Sequence, residues 1–178
     1  MKLTKTKIRG LHCVDYVMPK DARGEFLKIF SPEIFRGLFP AKKLEEVFVT
    51  RSARNVVRGM HFQSPPFEHD KLVSCIQGRI LDVVFDMRKR SDTFGTFQAF
   101  RLNAKHPQGL LIPRGCAHGF LSLLDNTLVC YLTNRRHNRT KDSGIHWRSF
   151  GFKWPVKKPI LSRRDEISPP WSPHTSLF

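Results

Sequence analysis

An all-β barrel or jelly roll is the fold this sequence predicts, and three observations predict it. Runs of β-branched and aromatic residues of strand length recur through the middle of the chain. Short turn-forming pairs separate them, and only one stretch carries the signature of a helix. Short strands at this spacing, with so few helices, close over a core as a barrel or a two-sheet jelly roll.

Taken in order, the first element is the helix. In "SPEIFRGLF" (31–39) Ser31 is a good N-cap, Pro32 stands at the first helical position, and Glu33 favours the positive helix end. The stretch "KLVSCIQGRILDVVFDM" (71–87) is two β-rich runs around Gln77-Gly78, which predicts a hairpin. "HGFLSLLDNTLVCYLT" (118–133) repeats that form around Asp125-Asn126. The tail "SPPWSPHTSLF" is too proline-rich for strand or helix and is expected along the surface. With no repeat, low-complexity tract or linker, residues 1–178 read as one domain.

Composition bounds the function. Hydrophobic residues make up 40% of the 178, with 15 Phe among them, enough for a packed core. The net charge of +16 invites a nucleic-acid reading. The basic residues are spread along the chain, however, with no basic recognition helix, RNP-type aromatic strand or zinc-finger spacing, so no nucleic-acid partner is expected. Such a charge also concentrates small anionic ligands, phosphorylated ones included. The amino terminus is basic but lacks an apolar run after it, and nothing approaches the ~18 residues of a membrane span. A cytoplasmic protein without a membrane partner is expected. Cys13, Cys75, Cys116 and Cys130 form no C-x-x-C pair and read as reduced core thiols.

The hairpins place chemistry. Across a two-residue turn at Gln77-Gly78, Val73 opposes Asp82, and Lys71 lies diagonally on the same face. Across Asp125-Asn126, Phe120 opposes Tyr131, with His118 diagonal. Lys71, Asp82, His118 and Tyr131 therefore share inward-facing positions. Each has an ordinary alternative: a hydrogen-bonded core histidine, a strand tyrosine, a buried Lys71–Asp82 ion pair. A lysine on an apolar strand face is nonetheless costly unless paired or used. His61, in "VVRGMHFQSPP", is by itself a core spacer, a metal ligand or a base.

The segment "IPRGCAHGF" (112–120) resembles the second motif of the cupin barrels, P-x-G-x-x-H-x-F. Metal-binding cupins bring H-x-H from their first motif, where this chain has His61-Phe62-Gln63. A metal set of His61, Glu68 or His69, and His118 would be irregularly spaced, so no metal and no cofactor is expected. P-loop, G-x-G-x-x-G and nucleophile-elbow motifs are absent. A His base, a Lys cation and a Tyr acid then suit proton abstraction beside a carbonyl.

In order along the chain stand "RGEF", "VVRGMHFQSPP", "KLVSCIQGRILDVVFDMRKRSDTFG", "LIPRGCAHGFLSL", "GIHWRSFGFKWP" and "ILSRRD". Together, from about residue 10 to 170, they resemble the dTDP-4-dehydrorhamnose 3,5-epimerase family, cupin-fold enzymes acting on nucleotide-linked 4-keto-6-deoxy sugars. The resemblance implies a metal-free mechanism. His61 matches the base that removes the proton beside the C4 ketone, and Asp165 matches the carboxylate that orients it. Lys71 matches the lysine that stabilises the enolate, and Tyr131 the acid that returns a proton to the opposite face. Arg23, Phe26, Arg58, Gln63, Asp82, His118, His137, Asp142 and Arg164 fall on or near positions that bind the sugar nucleotide. A homodimer, often with exchanged amino-terminal strands, is also implied.

The departures gather at the nucleotide end. Lys28 stands where the family has Glu, His137 where it has a tyrosine stacked on the base, Asp142 where it has Glu, and Glu46-Val47-Phe48 where it has Gln-x-Asn. The expectation is inversion of C3, C5 or both, on a nucleotide whose base is open. A C3-only epimerase or keto-isomerase, a metallo-cupin oxygenase and a non-catalytic binder of anions are the alternatives.

Overall fold

Thirteen strands, most of them with β-branched and apolar residues buried on one or both faces, run through a computed structural model, which describes residues 1–32 and 44–178. The expected helix over 31–39 lies, beyond Pro32, outside the described residues. The strands are β1 (Lys2–Lys5), β2 (His12–Asp15), β3 (Lys20–Asp21), β4 (Gly24–Glu25), β5 (Glu46–Ser52), β6 (Val57–Gln63) and β7 (Lys71–Gln77). β8 (Arg79–Asp86), β9 (Phe97–Asn103), β10 (Gln108–Ile112), β11 (Cys116–Ser122), β12 (Thr127–Thr133) and β13 (Asp142–Gly144) follow. A single α-helix among the described residues, α1, spans Arg163–Ile167.

Two antiparallel sheets result, in the orders β1-β2-β10-β7-β12-β5 and β13-β6-β11-β8-β9, with β3 and β4 as a separate hairpin. Alternation along each strand sorts the side chains. Val73, Cys75, Ile80, Val84, Leu110, Ile112, Phe120 and Val129 meet between the sheets. Leu72, Leu111, Cys130 and Leu132 cover the outer face of the six-stranded sheet beneath Leu27, Ile29 and Phe30. Leu81, Val83, Phe85, Ala117 and Leu121 cover that of the other, beneath Ile145, Trp147, Phe150 and Trp154.

The structure corrects both expected hairpins. β7 pairs with β10 and β12, and β8 pairs with β9 and β11, so Gln77-Gly78 is a corner between sheets. Asp125-Asn126 is likewise a corner between β11 and β12. The corners lie side by side: a Cβ on Gly78 (φ +82°) would sit 2.5 Å from Oγ1 of Thr127. Because alternation survives a corner, the residues expected to face inward still do, now across the core rather than across a ladder.

The carboxy-terminal segment is also more than a surface strand of chain. Trp171 meets Phe85 edge to face at 4.8 Å, Phe178 meets Phe62 at 5.6 Å, and the buried Ser176 hydroxyl donates to the carbonyl of Met87. Trp171 and Phe178 give it an apolar side that packs, partly buried, against the outer sheet surface. All four cysteines are free and lie in strands, three of them buried.

Candidate active site

A cavity of about 240 Å³ opens between the sheets. β6 supplies Arg58, His61 and Gln63; β7 supplies Lys71; β11 supplies His118 and Phe120. β12 supplies Tyr131 and Thr133, β5 supplies Phe48 and Thr50, and His137, Asp142 and Arg164 stand at its rim.

Strict alternation would put Arg58 and His61, three residues apart, on opposite faces of β6. They line one cavity because the register against β11 slips: Arg58 opposes Phe120, whereas His61 opposes His118. The extra residue is a bulge at Gly59-Met60. Gly59 has φ +126°, and a Cβ there would lie 2.5 Å from the Cα of Gly119. "RGMH" facing "HGF" is thus the local pattern that turns both an arginine and a histidine toward the cavity.

His61 lies 2.5 Å, Nε2 to Oδ1, from Asp165. With Nε2–H donating, Nδ1 is left as the ring's lone pair, without a hydrogen-bond partner among the described residues. Asp165 is buried at the third position of α1, whose N-cap is Ser162. The Ser162 hydroxyl donates to Asp165 Oδ2 at 2.9 Å, and Ser162 Oγ accepts from the Asp165 backbone N–H at 3.2 Å. Burial alone would raise the Asp165 carboxyl, but His61, Ser162 and the nearby Arg164 charge hold it below the usual carboxylate value. An ionised carboxylate therefore faces the imidazole and fixes its orientation through Nε2.

Lys71 is buried and has no hydrogen bond or ion pair among the described residues. Loss of solvent pulls its ammonium down to about 8, with the charges of Asp142 and Asp82 opposing that fall. A cation that no side chain pairs, held in a pocket between the sheets, is a site for negative charge that develops there. His118 is buried and donates from Nε2 to Asp82 Oδ2 at 2.8 Å. Burial lowers its proton affinity despite Asp82, which keeps the ring neutral. The other Asp82 oxygen is buried without a partner. Burial and the Asp82 charge raise the Tyr131 phenol well above its ordinary value, so it holds its proton. The cavity thus joins an imidazole held by a carboxylate, a lysine that no side chain pairs and a protonated phenol.

At the rim, Arg164 donates to both oxygens of Asp142, at 2.6 and 2.8 Å, and His137 Nε2 lies 3.1 Å from Asp142 Oδ2. Burial raises the Asp142 carboxyl, but these partners outweigh it and hold it low. Arg58 donates to Ser52 Oγ at 3.0 Å and to the Arg51 carbonyl at 3.2 Å. Gln63 accepts from the Asn138 backbone N–H at 2.6 Å and so fixes the loop that bears His137.

Of the residues singled out in the sequence, Arg58, His61, Gln63, Lys71, His118, Tyr131, His137, Asp142 and Arg164 line this cavity, with Asp82 and Asp165 directly behind its histidines. Arg23 and Phe26 are not brought there. They sit on the β3–β4 hairpin, Arg23 bonded to Asp21 and Phe26 63% exposed. Sequence reasoning missed Thr50 and Thr133 as lining residues, and named Phe48 only as a departure from the family pattern. Thr133 was two positions from Tyr131, the period that marks a shared face; on β5, Phe48 stood at the family's Gln-x-Asn position. His69 hydrogen-bonds to Gln63 and is held down to about 3 by burial and by the Lys71 charge. Among the described residues no three or more His, Cys, Asp or Glu side chains group so as to hold a metal ion.

Comparison with known proteins agrees with this geometry. Residues 5–172 match the family model of dTDP-4-dehydrorhamnose 3,5-epimerase. The chain is 36% identical over 169 residues to the dTDP-4-dehydrorhamnose 3,5-epimerase of Shigella flexneri, covering 93% of each. It is 30% identical to the dTDP-4-dehydrorhamnose 3-epimerase of Streptomyces niveus, covering 93% of this chain and 82% of that one. The crystal structure of the Bacillus anthracis 3,5-epimerase with TDP and PPi bound superposes with a TM-score of 0.90 at 33% identity, covering 96% and 99% of the two chains.

Proposed function

The chain belongs to the dTDP-4-dehydrorhamnose 3,5-epimerase family, and we propose that it epimerises a nucleotide-linked 4-keto-6-deoxy sugar in deoxysugar biosynthesis. One observation carries this reading: a buried, unpaired Lys71 shares a cavity with the carboxylate-held His61 and the protonated Tyr131. His61 takes the proton from the carbon beside the C4 ketone, and Asp165 supports the imidazolium. The electron pair moves onto the ketone oxygen, where the Lys71 ammonium meets it. Tyr131 returns a proton to the opposite face, which inverts the centre, and both groups reset by exchange with water. The side chains alone carry the proton chemistry. Arg58 and Arg164 offer guanidinium groups to the diphosphate.

The 3-epimerase relative favours a second reading, inversion of C3 alone. Incubation in D2O with dTDP-, CDP- and GDP-linked 4-keto sugars tests both, with product NMR locating the label. Wild type is expected to place deuterium at C3, at C5 or at both; label at C3 alone selects the second reading. His61→Ala stays folded and loses the label by about 10²-fold or more. Exchange by His61→Ala at the wild-type rate would overturn the assignment.

The chain also works as a cytoplasmic homodimer in this reading. Four free thiols support a reducing compartment. The exposed β3–β4 hairpin, which carries Arg23 and Phe26 away from their own cavity, supports exchange with a second copy. Sedimentation equilibrium at twice the monomer mass is the expected result.

A further inference from the structure

Phe48 lines the cavity from a partly exposed position. It stands on β5, the edge strand of the six-stranded sheet, and is 45% exposed. It belongs to none of the three core clusters, so filling the interior is not its task. Its position in β5 is directly opposite Tyr131 in the ladder. The two rings stack with centroids 4.8 Å apart and planes 10° from parallel. From the other sheet, the neutral His118 ring meets Tyr131 edge to face at 6.2 Å. The phenol ring is therefore clamped between two rings, one from each sheet, and the Phe48 ring also forms part of the cavity wall.

We infer that Phe48 is a positioning residue, which fixes the angle from which the Tyr131 phenol delivers its proton. The inference rests on the epimerase reading above. A donor works only within hydrogen-bond reach of the reacting atom, and a phenol ring that has lost its stacked neighbour loses that aim. Proton removal by His61 does not pass through Phe48. Loss of the stacked ring therefore separates two events that the wild type couples: abstraction continues, while reprotonation from the opposite face fails.

The experiment compares deuterium exchange with net inversion, on the same 4-keto sugar nucleotide, in wild type, Phe48→Ala and Phe48→Tyr. Phe48→Ala is expected to exchange at near the wild-type rate with retention, while its inversion-to-exchange ratio falls by about tenfold. Phe48→Tyr, which keeps a ring, restores the ratio. Tyr16 and Tyr131 are the only tyrosines in the chain, so NMR of ring-labelled tyrosine gives an independent readout. The ring-current shift of Tyr131 collapses in Phe48→Ala, while that of Tyr16 stays. A parallel fall of exchange and inversion, or an unchanged ratio, overturns the inference and leaves the epimerase reading standing. Absence of exchange in wild type overturns both.

Discussion

Lys71 shows most directly how one residue trades stability for chemistry. Its ammonium, ordinarily titrating at 10.5, is held down to about 8 by burial. Between those values the unfolded chain keeps a proton that the native chain has released. More protons are then bound in the unfolded state, so native stability rises as pH climbs through that window. The same titration removes the cation from the cavity, so turnover falls as pH passes about 8. Stability and activity thus move in opposite directions. Lys71→Met, which replaces the charge with an apolar chain of similar length, removes both effects. At pH 7 the variant is expected to be inactive yet more stable than wild type, by at most about 3 kcal/mol. Its advantage shrinks toward pH 10.5. Urea unfolding of both proteins at pH 7 and 10 measures this, and a Lys71→Met variant less stable than wild type at pH 7 contradicts it. That Lys71 faces inward was legible from the period of β7 alone. That Asp165 stands behind His61 was not: the two are 104 residues apart, and the match to the family motif supplied the pairing. The Ser162-x-x-Asp165 spacing signals a helix start, but nothing local says which strand the carboxylate reaches.

At the level of elements, the sequence carried faces better than partners. Alternation is written into each strand, so Lys71, Asp82, His118 and Tyr131 were placed on the interior correctly. Pairing depends on what the chain does after a turn, and Gln77-Gly78 and Asp125-Asn126 suit a corner between sheets as well as a hairpin. The bulge at Gly59-Met60 was hidden for the opposite reason: it breaks the alternation that makes strands legible. A prediction follows from its geometry. Gly59 and Gly24 both have positive φ, +126° and +123°, but only Gly59 has backbone within reach of an added Cβ. Gly24→Ala is therefore charged with backbone strain alone, about 1–2 kcal/mol. Gly59→Ala adds a collision with Gly119 and the His118 carbonyl, and is expected to cost clearly more. It also turns Arg58 and His61 out of alignment, so activity drops beyond what lost stability explains. Equal denaturation midpoints for the two variants would show that the two β6 and β11 glycines do not need their close approach.

On the scale of the whole molecule, part of the charge of +16 gathers beside the rim of the cavity. The loop that brings His137 to the cavity also carries Arg135, Arg136, Arg139 and Lys141, and Arg164 stands across from it. Glu45 and Glu46 accept from the backbone N–H groups of Arg136 and His137, each at 3.0 Å, and tie that loop to β5. Their carboxylates hold the loop's backbone, Arg135 turns onto the Pro66 carbonyl and the Phe67 ring, and Arg136 and Arg139 stay exposed. A nucleoside diphosphate approaching this opening meets a loop on which basic side chains outnumber the carboxylates that brace it, an excess that raises its local concentration before any contact forms. Exposed charges act only over the Debye length, about 8 Å at physiological salt and 3 Å at 1 M. The double variant Arg136→Glu/Arg139→Glu, both far from the proton-transfer groups in role, is expected to lower kcat/KM by roughly tenfold at low salt while kcat stays within about twofold. The two proteins should converge as sodium chloride approaches 1 M, because screening erases the difference in encounter. If the deficit instead persists at high salt, these arginines bind the substrate directly, and the charge of the chain steers nothing.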